Sequence, residues 1–282
     1  MRKKICIILF IIALSTTLVL TGCGQKQAAA DPANQGETPP VAENSWDRVK
    51  NAGKIVAGLD DAFPPMGFRN DKGELTGFDI EMGKELSKKL GLEIVWQPTV
   101  WDTVVPSLQA KKFDIIISGM NITAERKEEV NFAGPYGIAG QILIVKADNN
   151  TIQSIKDVKP GKLGTQSGST GHKVANTEGF KDEQLKLYKE YPLAFNDLTI
   201  GRIDAIVCDA FAIKTYLDKK PGAFKKVGED MGGDDIYVGI AVRKEDKELL
   251  DALNTAITEL KNDGTLARLS EKWMGFDMTE GL

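Results

Sequence analysis

The chain has 282 residues, 36 of them Lys or Arg against 40 Asp or Glu, for a formal net charge of −4. That balance lacks the basic footprint of nucleic-acid binding and describes a solvated, soluble surface. His172 is the only histidine and the cysteines are Cys6, Cys23 and Cys208, so a His-based triad or a zinc site has no second His or Cys at ligand spacing, and no metal or other cofactor is expected.

The chain opens MRKK, continues ICIILFIIALSTTLVL and reaches LTGC at Leu20 to Cys23. A basic start, a short apolar run and small residues before a cleavage point make residues 1–22 a secretory signal. A membrane span needs roughly 20 apolar residues, and Ser15, Thr16 and Thr17 interrupt this run. The Leu-Thr-Gly-Cys ending resembles the bacterial lipobox, which implies cleavage before Cys23, lipid on its thiol and anchoring to the cell membrane. Residues 23–45 are small, polar and Pro-containing, hence a disordered tether with a reach of roughly 25 Å. The folded body is expected from Trp46. With Cys6 removed and Cys23 lipidated, Cys208 has no intramolecular partner.

Within the body, GKIVAGLDD is a short strand ending near Asp60, and Asp79 reads as the cap of a helix whose apolar side is Ile80, Met82, Leu86 and Leu90, stopped by Gly91. Phe113 to Ile117 is β-branched and apolar, as in a buried parallel strand, and Gly119 breaks it. Thr123 is then an N-cap, which puts Arg126 near the third helical position. A cation there faces the positive end of the helix dipole, at a cost of about 0.3–1 kcal/mol. Either the neighbouring Glu125, Glu128 and Glu129 neutralise it, or Arg126 holds a ligand carboxylate by two parallel hydrogen bonds. QILIV, residues 141–145, is an outward crossing to a second lobe and YVGIAV, residues 237–242, the return; two adjacent extended crossings make a hinge. His172 reads as an ordinary helix residue. Leu249, Leu253, Ile257 and Leu260 repeat at helical spacing, and Trp273 packs a terminal helix into the core.

The body also echoes itself. VKNAGKIVAGLDD (49–61) is similar to VKPGKLGTQSG (158–168), and LQAKKFDIIISG (108–119) to LTIGRIDAIVCD (198–209). Asp114 matches Asp204, and Gly119 matches Asp209. Two such α/β units facing each other put their strand ends on a shared cleft.

Taken in order, GKIVAGLDDAFPPMGF, GELTGFDIEMGKELSKKLG, FDIIISGMNITAERK, QSGSTG and GRIDAIVCD resemble the solute-binding proteins of polar amino-acid ABC importers. The resemblance implies a two-lobed α/β body of the type II periplasmic-binding fold, each lobe a mostly parallel sheet flanked by helices. Residues 46–139 and 237–282 would form lobe one and 140–236 lobe two. It implies a monomer without catalytic residues that serves ABC permease subunits. Arg126 would clamp the ligand's α-carboxylate, helped by the backbone N–H groups of Ser169 and Thr170. Asp209, the Gly119 carbonyl and the Asn121 side chain would take the α-ammonium, with Ser118 and Met120 completing that strand end. Asp60, Phe63 and Trp101 would receive the side chain, and Gln166 either end. An acid beside two aromatics implies arginine first, then lysine or histidine; glutamine and cystine are alternatives, as is a cyclohexadienyl-dehydratase-like enzyme on the same fold. Pro64, Pro65, Met66 and Gly67 depart from the Pro-Phe-Glu-like run of many relatives, which loosens the inference of the ligand.

Overall fold

The computed structural model describes residues 44–282; the signal, Cys23 and the tether up to residue 43 lie outside the described residues. The body begins earlier than Trp46. The Asn44 side chain accepts the Asp47 N–H at 2.8 Å and caps the helix Ser45–Ala52, satisfying one of the orphan donors of a helix start.

In chain order the strands are β1 (Lys54–Leu59), β2 (Ala62–Phe63), β3 (Gly67–Arg69), β4 (Leu75–Thr76), β5 (Glu93–Pro98), β6 (Ile115–Ile116), β7 (Val130–Ile138), β8 (Gln141–Lys146), β9 (Leu163–Gln166), β10 (Leu185–Tyr188), β11 (Ala205–Asp209), β12 (Phe224–Met231) and β13 (Tyr237–Arg243). They form two five-stranded sheets, β5-β1-β6-β13-β7 and β10-β9-β11-β8-β12, and a small antiparallel sheet β2-β3-β4 that sequence reading did not anticipate. In each large sheet three strands pair in parallel, and a fourth, β13 or β8, runs against its neighbours. β11 is buried throughout and β13 at every residue but Tyr237, as strands covered on both faces should be. The protein is thus a two-lobed α/β body. The crossings themselves fall just outside the expected segments: QILIV belongs to β8 inside the second sheet and YVGIAV to β13 inside the first, so the chain passes between the sheets at residues 139–140 and 232–236, where the Ala139 N–H donates to the Ile236 carbonyl at 2.7 Å.

The echo in the sequence is an echo in space. β1, β5 and β6 hold the same relative places in the first sheet as β9, β10 and β11 in the second. Asp114 Oδ2 accepts the Val56 N–H at 2.9 Å while the Asp114 N–H donates to the Val56 carbonyl at 2.8 Å. Asp204 repeats both bonds with Lys162, at 2.7 and 2.8 Å. Three residues before each aspartate the chain turns left-handed, at Gly201 (φ 72°) and at Lys111 (φ 58°), the one positive-φ residue other than glycine among those described. A side chain costs about 1 kcal/mol there and glycine does not. Lys111→Gly should therefore raise the melting temperature by about 2–4 °C; a circular-dichroism melt showing no rise would refute the cost assigned to Lys111.

Asp79 is not a cap. The helix Phe78–Leu90 starts after Gly77 (φ 130°), where a Cβ would lie 2.2 Å from the Met66 carbonyl oxygen. Its first donors go to main-chain carbonyls instead, Phe78 N–H to Pro65 and Asp79 N–H to Met66, both at 2.9 Å. That leaves the Asp79 carboxyl fully buried, accepting the Tyr136 hydroxyl at 3.0 Å. Gly91 does close this helix (φ 67°), and Leu249, Leu253, Ile257 and Leu260 form the buried stripe of the helix Lys247–Asn262. Trp273, in the helix Thr265–Met274, stands edge-on to Phe68 at 6.0 Å.

Candidate ligand-binding cleft

The carboxyl ends of β1 and β6 face those of β9 and β11. Asp60 follows β1 directly. Its N–H donates to Ser118 Oγ at 2.9 Å, tying the two strand ends of the first lobe together. Its carboxylate is 4% exposed and accepts the Ala62 N–H on Oδ1 (2.9 Å) and Gln166 Nε2 on Oδ2 (2.7 Å). Gln166 ends β9, so this bond crosses the cleft; the same Nε2 also donates to the Lys189 carbonyl at 2.8 Å. Burial raises the Asp60 pKa to about 6, and the charges that act on it, Glu190 and Asp61, are acidic and push the same way. Asp60 makes no ion pair among the described residues.

Arg126 is the third residue of the helix Ala124–Glu129, and its N–H donates to the capping Thr123 Oγ1 at 3.2 Å, as expected from the sequence. The surface-pair alternative fails, because Glu125 pairs with Lys173 at 2.6 Å and neither Glu128 nor Glu129 pairs with Arg126 among the described residues. The guanidinium turns inward. Nη1 donates to the Asn121 carbonyl (2.8 Å), Nη2 crosses to the Gly168 carbonyl (3.2 Å), and the group lies 5.1 Å from the Trp101 ring centroid. Burial lowers its pKa, and the Asp209 carboxylate opposes that most strongly. Asp209 ends β11, is 4% exposed, and accepts Gln141 Nε2 on Oδ1 at 2.5 Å. Burial raises its pKa to about 6 against the pull of Gln141 and Arg126. Arg126 and Asp209 feel each other's charge yet form no ion pair, which leaves both groups able to serve a zwitterion.

Several expected contacts take other partners. Asn121 donates to the Ala139 carbonyl (3.2 Å) and accepts the Thr170 hydroxyl (3.0 Å), so its side chain clasps the lobes rather than waiting for an ammonium. The Ser169 N–H turns back to the Gln166 carbonyl at 3.3 Å, and the Ser169 hydroxyl caps the helix Thr170–Thr177 through the His172 N–H. Of the two amides assigned to the carboxylate, Thr170's is the one at the open helix start. One face of Trp101 supports Arg126, a cation–π contact that steadies the guanidinium. Met120 belongs to the core: it is fully buried in a cluster with Val104, Leu108, Phe113 and Val130, and its carbonyl accepts the Gly239 N–H at 3.0 Å. His172 lies on its helix and accepts the Gly168 N–H at 3.2 Å.

Residues that sequence reading passed over complete the cleft. Phe63 stacks on Tyr191 (centroids 5.6 Å apart) and meets Phe211 edge-on (5.5 Å), both from the second lobe. Lys173 joins Glu125 to Asp235 at 2.6 and 2.7 Å. Gln141 and Tyr191 carry no local motif; only the register of β8 against β11 and the meeting of lobes reveal them. Gly119 (φ 56°) sits where a Cβ would press within 3.0 Å of Phe63.

Beneath Gly119, burial lifts the Asp79 pKa to about 7 while the Tyr136 hydroxyl and the Gly119 amide pull it down. A carboxyl raised in the folded state stabilises the fold fully below its unfolded pKa near 3.8 and loses that contribution as pH rises through 7. Relative to the wild type, Asp79→Asn should gain about 1.4 kcal/mol of stability per pH unit between roughly 4 and 7. Urea unfolding of the unliganded pair at pH 5 and pH 7 checks the sign; a pH-independent difference would contradict it.

An α/β body whose lobes bring a guanidinium and two carboxylates to one cleft is a small-molecule-binding protein of the periplasmic-binding type. The pattern of the bacterial extracellular solute-binding proteins, family 3, matches residues 55–276, and the chain belongs to that family of amino-acid ABC transporter binding proteins. It is 37% identical over 239 residues to the L-cystine-binding protein TcyJ of Escherichia coli strain K12, spanning 84% of this chain and 89% of that one. An ancestral arginine-binding protein solved with arginine is 42% identical, with a TM-score of 0.73 over 79% of this chain and 99% of its own. The ancestral amino acid-binding protein AncCDT-1, a precursor of cyclohexadienyl dehydratase, is 36% identical with the same TM-score over 82% and 99%.

Proposed function

We propose that the protein is the extracytoplasmic substrate-binding lipoprotein of an amino-acid ABC importer, held to the membrane through Cys23, and that it captures a basic L-amino acid, arginine first and lysine or histidine next. Arg126 takes the α-carboxylate and Asp209, from the other lobe, the α-ammonium. Only closure completes that pair, so the ligand favours the closed state and can shift the lobe equilibrium. The closed protein is then what a permease meets. The observation that carries the choice of ligand is Asp60, a buried carboxylate acted on by Asp61 and Glu190 and paired with no cation among the described residues. A guanidinium or ammonium at the far end of a ligand supplies what that end lacks.

Cystine is the second reading, favoured by the likeness to TcyJ. Its far end carries an ammonium that suits Asp60 but also a carboxylate, which Asp60, Asp61 and Glu190 repel. Calorimetry on protein refolded from denaturant, with L-arginine, L-lysine, L-histidine, L-glutamine and L-cystine, separates the readings. Arginine should bind tightest. Preference for cystine or glutamine overturns the basic ligand, and binding of none overturns the transport role. Incubation with prephenate or arogenate should yield no product; turnover would move the protein to the dehydratase side that AncCDT-1 brings into view.

A further inference from the structure

Gln141 is fully buried and stands at the first position of β8, directly after the outward crossing. In the β8–β11 ladder it is the register partner of Asp209, and in the β8–β12 ladder that of Met231. Its Nε2 donates to Asp209 Oδ1 at 2.5 Å, while its Oε1 has no hydrogen-bond partner and faces Gly171 in the first turn of the helix Thr170–Thr177, where a Cβ would approach it to 3.2 Å. The peptides just before it are bonded to groups from both lobes. The Ala139 carbonyl accepts Asn121 Nδ2 at 3.2 Å and the Gly140 carbonyl accepts the Ala210 N–H at 2.9 Å. From Thr170 through Asn121, Ala139 and Gly140 to Asp209, polar groups of the cleft are therefore chained through the crossing itself.

We propose that Gln141 is a positioning residue for amine recognition: it holds one oxygen of Asp209 so that the other faces the ligand's α-ammonium, and it ties that aim to the crossing about which the lobes turn. The inference rests on Asp209 as the amine acceptor. An aspartate with one oxygen fixed by a neutral donor stays ionised and oriented, whereas a free carboxylate in so buried a place rotates and takes up a proton. The other titratable groups facing Asp209 are Arg126, Tyr191 and Cys208.

Gln141→Met keeps the volume, removes the donor and leaves no orphaned amide. A carboxyl-carbon NMR titration of the unliganded protein should place the Asp209 midpoint at least about half a pH unit higher in Gln141→Met than in wild type, with Asp60 unmoved, since losing a hydrogen bond to the charged form disfavours it. Calorimetry should show L-arginine bound at least about fivefold more weakly, and 5-guanidinopentanoate, which lacks the α-amine, changed less than twofold. An unmoved Asp209 midpoint overturns the proposal whatever the ligand, and so does an equal loss for both ligands. Failure of the wild type to bind arginine strikes the ligand assignment alone and leaves the titration to decide. Should Gln141→Met not fold, Gln141→Asn, one methylene too short to reach, is read the same way.

Discussion

Arg126→Ala should abolish amino-acid binding and leave the body folded. The guanidinium spends two donors on the carbonyls of Asn121 and Gly168 and rests on Trp101, so its orientation is set before any carboxylate arrives. Removing one partner of a buried, hydrogen-bonded charge pair costs about 2–5 kcal/mol, which is at least about thirtyfold in affinity. The variant also loses the Nη2 bond to Gly168, which reaches between the lobes, and so weakens closure as well as contact. Arg126→Lys keeps the charge without the planar fork and should recover little. No sheet depends on the side chain, so the melting temperature should move by a few degrees at most. Retained micromolar binding in calorimetry would remove the carboxylate clamp from the account.

Asp60→Asn should change what the cleft prefers. Against a cationic side chain the loss should be about 2 kcal/mol or more, about thirtyfold, while a neutral ligand such as glutamine keeps or gains affinity because an amide can bond to it without a charge to balance. The pH profile sharpens the test. Asp60 and Asp209 are each raised to about 6, and a bound cation requires both ionised. Wild-type affinity for arginine should thus be level above that pH and fall below it, by up to a hundredfold per unit when both carboxylates must lose a proton. In Asp60→Asn only Asp209 remains, and the fall should be no steeper than tenfold per unit. An unaltered profile, or undiminished arginine binding, would detach Asp60 from the ligand's far end.

What could be read from the chain alone follows the range of the interactions involved. Arg126 is legible because a strand break, a threonine cap and a cation at the third helical position all fall between Gly119 and Arg126, and the structure repeats that order. Gly91 and the leucine stripe near the end of the chain were legible for the same reason. Asp79 was misread because its cap role had been taken by the carbonyls of Pro65 and Met66, which the β2–β3 turn folds onto the helix start. Asn121 was misassigned because Thr170, its partner, comes from the other lobe. Trp101 is largely buried beside Val104, Leu108 and Phe113 with Arg126 over its ring, an arrangement that depends on an approach spacing does not encode. Phe211, Tyr191 and Gln141 emerge only from sheet order and lobe contact.

The position of β13 has a consequence for how the molecule is made. That strand lies between β6 and β7, in the interior of the first sheet, yet it is the last strand in the chain. Every strand of the second sheet falls between Gln141 and Met231, so as the polypeptide emerges from its N-terminal end the later-encoded half has all its strands first, while the earlier-encoded half waits with an interior strand missing. A domain that ordinarily folds first because it is synthesised first is here kept from completion until residue 243 has emerged.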